Sequence, residues 1–160
     1  MSEIFFEESV ILLDIESDSK EEVLELMGRN LVEKGLVKES FITAILEREN
    51  QFPTGLPTAG VSVAIPHTDV EHVNKKTISI GILKKQVNFG VMGDDSETTP
   101  VQIVFMLAID EAHSQLKLLQ NLMQIFQDEK ILKYIVKETN KSRIKKIIVE
   151  KLDVELKGGE

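Results

Sequence analysis

The chain has 160 residues, of which 42% are hydrophobic and 29% are charged. This length and mixture are typical of one globular domain with a hydrophobic core. The chain contains no cysteine, which excludes disulfide bonds and thiolate chemistry. The formal net charge of −8 argues against general nucleic-acid binding, which needs a basic surface.

The sequence gives no sign of a membrane or export segment. No apolar run approaches the ~20 residues that a membrane-spanning helix needs. The acidic residues 1–8 lack the basic start of a secretory signal. We therefore expect a cytoplasmic protein that is not inserted in a membrane.

Two helices are predicted in the first third of the chain. Ser19-Lys20-Glu21-Glu22 is a capping-box pattern that opens a helix, and Gly35 is expected to end it. A second helix is predicted at about residues 39–49. It stops before Phe52-Pro53-Thr54-Gly55-Leu56-Pro57, in which two prolines and a glycine indicate a constrained loop.

Three strands are predicted next, at residues 61–65, 77–83 and 101–109, and a short strand is predicted at 86–89. The first and the third are almost continuously apolar, which is typical of central strands that are covered on both faces. The segment 91–100 is polar and contains three acidic residues. We therefore interpret this segment as a loop.

Helices are predicted again at residues 113–127, 129–137 and 140–152. No internal repeat or linker divides the chain. Because helices and strands alternate, the sequence predicts an α/β fold, in which a single domain contains a mixed β-sheet flanked by helices on both faces.

His67 follows the stretch Val61-Ser62-Val63-Ala64-Ile65-Pro66, so it lies at the exit of a predicted buried strand. Proline lacks a backbone N–H and fixes one dihedral angle, so the strand is expected to stop there. Two interpretations stay open at this point: a neutral histidine that packs in the core, or an imidazole held in place for chemistry. A histidine pKa near ~6.5 leaves much of the ring neutral, and therefore nucleophilic, at cellular pH.

Other kinds of site match the sequence weakly. His67 and His72 are five residues apart, a spacing that is not typical of the zinc site of a metal-dependent hydrolase. The sequence has no nucleophile elbow, P-loop or G-x-G-x-x-G pattern. We expect neither a metal ion nor a cofactor. The remaining chemistry is the transfer of a phosphoryl group through His67, which requires positive charge nearby.

Arg48 is the candidate that supplies this charge. It lies at the end of the second predicted helix. This helix runs directly into the constrained loop at residues 52–57, which we call the Pro-Thr-Gly loop. A cation at a helix C-terminus also interacts favourably with the helix macrodipole. A purely structural role for Arg48 therefore stays open as well.

In chain order stand Glu47-Arg48-Glu49, then Phe52-Pro53-Thr54-Gly55-Leu56, then Val63-Ala64-Ile65-Pro66-His67-Thr68. This order and spacing resemble the enzyme IIA (EIIA) domains of the bacterial sugar phosphotransferase system (PTS), in the fructose–mannitol type 2 superfamily. The loop and the later Gln115-Leu116-Lys117-Leu118-Leu119 are most similar to the galactitol-specific branch. The resemblance implies a single EIIA type 2 domain over residues 1–160, with a core at about 4–152.

The resemblance also implies a phosphotransferase with a phosphohistidine intermediate. His67 would accept a phosphoryl group from the protein HPr and donate it to a cysteine of a IIB component, which acts with the membrane component IIC. Arg48 would stabilise the phosphoryl group, and Thr54 and Thr68 would support the site. This phosphoryl transfer would serve the uptake of a sugar or of a galactitol-like polyol.

Two points of the resemblance leave alternatives. Many relatives have a second active-site histidine, and Gln115 occupies that position on the simplest alignment, whereas a different helix start would bring in His113. A glutamine amide can hydrogen-bond to a phosphoryl oxygen or to the His67 ring, but it supplies neither a proton nor a charge. Nitrogen-type relatives use the same histidine for regulation through protein contacts, so a regulatory phosphoprotein is the alternative function.

Overall fold

The computed structural model describes residues 4–58, 60–109, 116–152 and 156–157. Within these residues, seven strands form one sheet in the order β3-β4-β6-β5-β1-β7, and β2 also pairs with β5. Their bounds are β1 Ile4–Phe5, β2 Ile11–Ile15, β3 Gly55–Leu56, β4 Ser62–Ala64, β5 Thr77–Val91, β6 Asp94–Ala108 and β7 Leu156–Lys157. The sheet is mixed, because β5 and β6 are antiparallel while β4 and β6 are parallel.

Five α-helices are present in the described part of the chain. They are α1 Lys20–Glu33, α2 Ser40–Gln51, α3 Leu116–Phe126, α4 Glu129–Lys137 and α5 Lys141–Leu152. The predicted capping box is confirmed, since the Ser19 side chain accepts a hydrogen bond from the backbone N–H of Glu22 at the start of α1. Gly35 follows α1 with a φ of 72°, a left-handed conformation that glycine adopts without strain.

Helices cover both faces of the sheet, as the sequence predicted. On the paired strands β5 and β6, Gly81 lies opposite Val104 and Ile80 lies opposite Phe105. Side chains alternate between the two faces of a strand, so Gly81 and Phe105 face opposite ways. A Cβ on Gly81 would lie 2.7 Å from the Met27 sulfur of α1, whereas the Phe105 ring packs 5.0 Å from that of Phe126 in α3.

The predicted loop at residues 91–100 is wrong. The strands predicted at 77–83 and 86–89 are one continuous strand, β5, and most of the loop belongs to β6. The turn between them contains Gly93, with a φ of 81°. Polar composition indicated a loop because this end of the hairpin extends beyond the core, where Ser96, Glu97 and Thr98 are exposed. Pairing with β5 holds the backbone in a strand although few of these side chains are buried.

Several other predicted elements are confirmed within one or two residues. The strand predicted at 61–65 is β4, and it has a neighbour on each side, β3 and β6. The strand predicted at 101–109 is the second part of β6, in the centre of the sheet. The start of the helix predicted at 113 lies outside the described residues, which resume at Leu116 in α3. The short strands β1, β2, β3 and β7 were not predicted.

Candidate active site

The backbone at His67 is fixed from two sides. Leu107, near the end of β6, donates its backbone N–H to the carbonyl of Pro66 over 3.0 Å. His67 itself forms a parallel bridge with Leu107, just beyond the end of β4. On the other side, the backbone N–H of Ile65 donates to the carbonyl of Thr54 over 3.3 Å. The residue predicted at a strand exit is therefore held between β6 and the Pro-Thr-Gly loop.

The imidazole ring of His67 has a defined orientation. Its Nδ1 lies 2.9 Å from the carbonyl oxygen of Ile65, two residues earlier in the chain. A carbonyl oxygen only accepts hydrogen bonds, so Nδ1 carries the proton in this contact. In the neutral ring, Nε2 then holds the free lone pair, and it is the nucleophilic nitrogen.

Arg48 and His67 line the same depression, which has a volume of about 780 Å³. Thr68, Asp69 and Glu71 also line it, and its apolar wall consists of Ile65, Val70, Met92, Leu107, Ile109, Leu119 and Met123. The depression opens to the surface, because Val70, Met92 and Met123 are 43%, 39% and 39% exposed. The depression therefore brings the imidazole of His67 and the guanidinium of Arg48 together within a largely apolar lining.

The guanidinium of Arg48 has unused hydrogen-bonding capacity. Within the described residues, its Nε is the one buried side-chain nitrogen or oxygen without a hydrogen-bond partner. Its terminal carbon lies 4.8 Å from the centroid of the Phe52 ring, a cation–π contact. An unpaired buried donor is costly, so an oxyanion that accepts from Arg48 would relieve an existing penalty.

A buried carboxylate that was not among the predicted site residues lies next to Arg48 in the chain. Glu49, in the last turn of α2, is only 1% exposed. Its two oxygens accept hydrogen bonds from Thr54, one from the backbone N–H over 2.8 Å and one from the hydroxyl over 2.9 Å. Burial raises the pKa of Glu49, and the hydrogen bonds from Thr54 oppose that change.

The helical periodicity contained a signal for Glu49. Ile42 and Ile45 are buried on α2, and Glu49 continues this row at a spacing of three and then four residues. A charged residue in an apolar row indicates a buried charge with fixed partners. In the sequence Glu49 belongs to the motif Glu47-Arg48-Glu49, for which no role at position 49 was predicted.

The other predicted site residues differ in their placement. Thr68 lines the depression, whereas Thr54 is buried, does not line the depression and contacts Glu49. His72 does not line the depression, and its Nδ1 lies 2.8 Å from the Ser40 hydroxyl. Gln115 and His113 lie outside the described residues, so the choice between them stays a prediction. Among the described residues, no group of three or more His, Cys, Asp or Glu side chains has an arrangement that would hold a metal ion.

Comparison with known proteins identifies the family. The profile described as "Phosphoenolpyruvate-dependent sugar phosphotransferase system, EIIA 2" matches residues 3–151. The chain belongs to this family. EIIA proteins are components of a phosphotransferase system, and the predicted resemblance is confirmed.

Individual EIIA relatives agree with this assignment. The galactitol-specific EIIA component of Escherichia coli K12 is 28% identical over 136 residues, which cover 85% of this chain and 87% of that protein. The mannitol-specific EIICBA component of Buchnera aphidicola subsp. Baizongia pistaciae is 34% identical over 127 residues, which cover 79% of this chain and 19% of that protein.

A solved structure shows an EIIA protein with its partner. The complex of enzyme IIA-Mtl and phosphorylated enzyme IIB-Mtl from Escherichia coli matches with a TM-score of 0.71 and 26% identity, over 93% of this chain and 99% of that chain. EIIA domains of this family therefore work with IIB components, as in that complex. No helix in the described part of the present chain is long and apolar enough to cross a membrane.

Proposed function

We propose that this protein is a cytoplasmic phosphocarrier in which His67 Nε2 accepts a phosphoryl group from phospho-HPr and donates it to the cysteine of a IIB component. The observation that carries the proposal is the hydrogen bond from His67 Nδ1 to the Ile65 carbonyl, at a ring that shares a depression with Arg48. This bond leaves Nε2 as the ring nitrogen with a free lone pair.

The transfer proceeds by two displacements at phosphorus. The lone pair of Nε2 forms an N–P bond as the N–P bond of the donor breaks, and the donor nitrogen keeps the electron pair. Because Nδ1 retains its proton, the phosphorylated ring of His67 is cationic, and the Ile65 carbonyl stabilises that N–H. A thiolate of IIB then attacks phosphorus, and Nε2 leaves with its electron pair as the ring becomes neutral again.

The surroundings of His67 support both steps. The guanidinium of Arg48 offsets charge on the phosphoryl oxygens, and Thr68, which lines the same depression, donates a hydrogen bond to them. The apolar wall around them limits access of water to the N–P bond. The open, partly exposed rim suits two protein partners in turn better than a small enclosed substrate.

The similarity to the galactitol-specific component of Escherichia coli supports galactitol or a related polyol as the transported compound. We place the second-histidine position at Gln115, with His113 as the alternative. Gln115→Ala and His113→Ala, compared for the rate of transfer from phospho-HPr, distinguish the two, because the residue that contacts the site slows transfer when it is removed.

The test is phosphorylation by phosphoenolpyruvate, enzyme I and HPr. We expect acid-labile phosphate on the wild-type protein, none on His67→Ala, and slow incorporation on Arg48→Ala. His72→Ala is the matched control, since His72 is hydrogen-bonded to Ser40 and should not affect incorporation. Phosphorylation of His67→Ala at the normal rate would refute the proposal.

The second step is tested with a IIB protein encoded beside this chain. Transfer of phosphate from the phosphorylated protein to that IIB supports a role in transport. Normal phosphorylation by HPr without transfer to IIB would instead favour the regulatory, nitrogen-type role. Uptake of polyols by a deletion strain then identifies the transported compound.

A further inference from the structure

We propose that Glu49 is a positioning residue that sets the orientation of the His67 ring through the Pro-Thr-Gly loop. The inference rests on the proposed phosphoryl transfer at His67. Glu49 does not line the depression that contains His67 and Arg48, so it has no direct contact with a phosphoryl group there. Its influence on the site is therefore indirect and passes through Thr54, to which it is hydrogen-bonded.

Three consecutive contacts connect Glu49 with the imidazole. The carboxylate of Glu49 accepts two hydrogen bonds from Thr54. The carbonyl of Thr54 accepts the backbone N–H of Ile65 over 3.3 Å. The carbonyl of Ile65 accepts Nδ1–H of His67 over 2.9 Å. The position of the acceptor that selects the His67 tautomer is therefore tied to the buried end of α2.

Thr54 depends on Glu49 for both of its hydrogen-bond donors. Thr54 is 3% exposed, and both of its donors, the N–H and the hydroxyl, are used on Glu49. Without Glu49, both donors would be buried without a partner, which is costly enough to shift the loop. A shift at Thr54 moves Ile65, and the ring of His67 then loses its preferred acceptor.

Glu49 positions the loop through its two hydrogen bonds with Thr54 rather than through its negative charge. A glutamine at position 49 can accept the Thr54 N–H with its carbonyl and donate its amide to the Thr54 hydroxyl, so both contacts survive. An alanine keeps neither. The proposal therefore predicts that Glu49→Gln preserves the site and that Glu49→Ala disturbs it.

The experiment measures the tautomer of His67 and the transfer rate in the same variants. Two-bond ¹H–¹⁵N correlations of the imidazole show which nitrogen carries the proton, at a pH well above the ordinary histidine value of about 6.5. We expect an Nδ1–H ring in wild type and Glu49→Gln. In folded Glu49→Ala we expect a larger fraction of the Nε2–H tautomer of His67 than in wild type. Transfer from phospho-HPr should be about 10-fold slower or more, which is the scale of a small misplacement of a reacting group.

Ser79→Ala is the matched control for loss of a buried polar contact. Ser79 is fully buried, and its hydroxyl donates to the carbonyl of Val10 over 2.9 Å, away from the depression. It should lose stability without a change in the His67 tautomer. A merely structural role for Glu49 would give Glu49→Ala the same pattern as Ser79→Ala.

Each outcome decides the proposal. An unchanged tautomer and rate in folded Glu49→Ala would overturn it, and so would loss of the Nδ1–H ring in folded Glu49→Gln. If Glu49→Ala does not fold, Thr54→Val carries the test, because it removes only the hydroxyl donor to Glu49. In Thr54→Val, a partial shift of the His67 tautomer towards Nε2–H supports the proposal, and an unchanged tautomer contradicts it. Since the tautomer is observed without phosphorylation, this result is independent of whether His67→Ala confirms the phosphoryl transfer.

Discussion

The guanidinium of Arg48 lies over the ring of Phe52, with 4.8 Å between the guanidinium carbon and the ring centroid. The backbone N–H of Phe52 also donates to the carbonyl of Arg48 over 2.7 Å, which closes the last turn of α2. The Phe52 ring is 58% exposed, so its burial contributes little to the core. Its cation–π contact therefore restrains the guanidinium of Arg48, and we expect this restraint to help Arg48 bind an oxyanion.

Replacing Phe52 by alanine should therefore slow phosphoryl transfer without unfolding the protein. An exposed cation–π contact is worth about 0.5–1 kcal/mol, which corresponds to a rate about 2- to 5-fold lower. The measurement is the single-turnover rate of phosphoryl transfer from phospho-HPr. Phe52→Tyr keeps the aromatic face and should transfer at the normal rate. A normal rate in Phe52→Ala would show that Arg48 is oriented by other contacts.

The two exposed methionines on the rim of the depression should contribute to partner binding. Met92 is held there by its backbone N–H, which donates to the carbonyl of Gly55 over 2.8 Å, and Met123 lies on α3. Burial of such a side chain against a partner contributes about 1 kcal/mol at ~25 cal/mol per Å². Met92→Gln or Met123→Gln should therefore raise the KM for phospho-HPr about 5-fold, with kcat nearly unchanged.

The control for this prediction is Leu26→Gln. Leu26 is 46% exposed on α1 and does not line the depression, so its replacement removes a similar exposed apolar surface elsewhere. Its KM should equal that of the wild type. Equal KM values for Leu26→Gln and the two methionine variants would exclude the rim from the docking surface.

The sequence pointed to two residues whose local context is distinctive. His67 follows a proline at the end of an apolar strand, and Arg48 lies in the last turn of a helix before a constrained loop, so short-range patterns made both residues candidates. Both line the same depression. Helix boundaries were similarly accessible, because capping at Ser19 and the conformation of Gly35 depend on neighbours in the chain. These features are local, and local chemistry determines them.

Features that depend on distant partners were not predictable in the same way. Strand β2 pairs with β5, whose partner residues are about seventy positions away, as for Ile11 and Ile80. The polar end of β6 is a strand because Gly90 and Phe89 pair with Thr98 and Thr99, although its composition indicates a loop. Burial depends on tertiary packing as well, so the helical position of Glu49 alone did not reveal its hydrogen bonds with Thr54.

The close contact between the Pro-Thr-Gly loop and the hairpin should make Gly55 irreplaceable. A Cβ on Gly55 would lie 2.5 Å from the carbonyl oxygen of Gly90, a backbone atom that cannot rotate away. Gly55→Ala should lower the free energy of unfolding by about 1–3 kcal/mol, the usual cost of overpacking. It should also slow transfer at His67, because the same loop contacts Ile65. Urea unfolding and the single-turnover assay measure the two effects.

Gly35→Ala separates this steric effect from ordinary backbone strain. Gly35 has a φ of 72°, but a Cβ there would meet no atom within 4 Å, and the residue lies at the end of α1. Its replacement should cost about 1 kcal/mol of stability, from strain alone, with transfer unchanged. If Gly55→Ala resembled Gly35→Ala in both measurements, the loop would be adaptable and the predicted link to His67 would fail.

Burial of Glu49 gives the stability of the protein a defined pH dependence. Its pKa is raised above the ordinary value of 4.5, chiefly because burial disfavours the charged form. Between 4.5 and the raised pKa, the folded protein keeps a proton that the unfolded chain has released. The stabilisation from this proton is fully present below the unfolded value, and it is lost as the pH rises through the folded pKa.

Comparison with Glu49→Gln isolates this effect, because glutamine does not titrate. The free energy of unfolding of Glu49→Gln minus that of wild type should increase as the pH rises above 4.5 and then level off. Glu16→Gln is a control of opposite sign, since the hydrogen bond from Lys84 over 2.9 Å lowers the pKa of Glu16. For this pair, the free energy of unfolding of wild type minus that of Glu16→Gln should decrease as the pH falls. A pH-independent difference for Glu49→Gln would show that the carboxyl group has the same pKa in the folded and unfolded states, contrary to its burial beside Thr54.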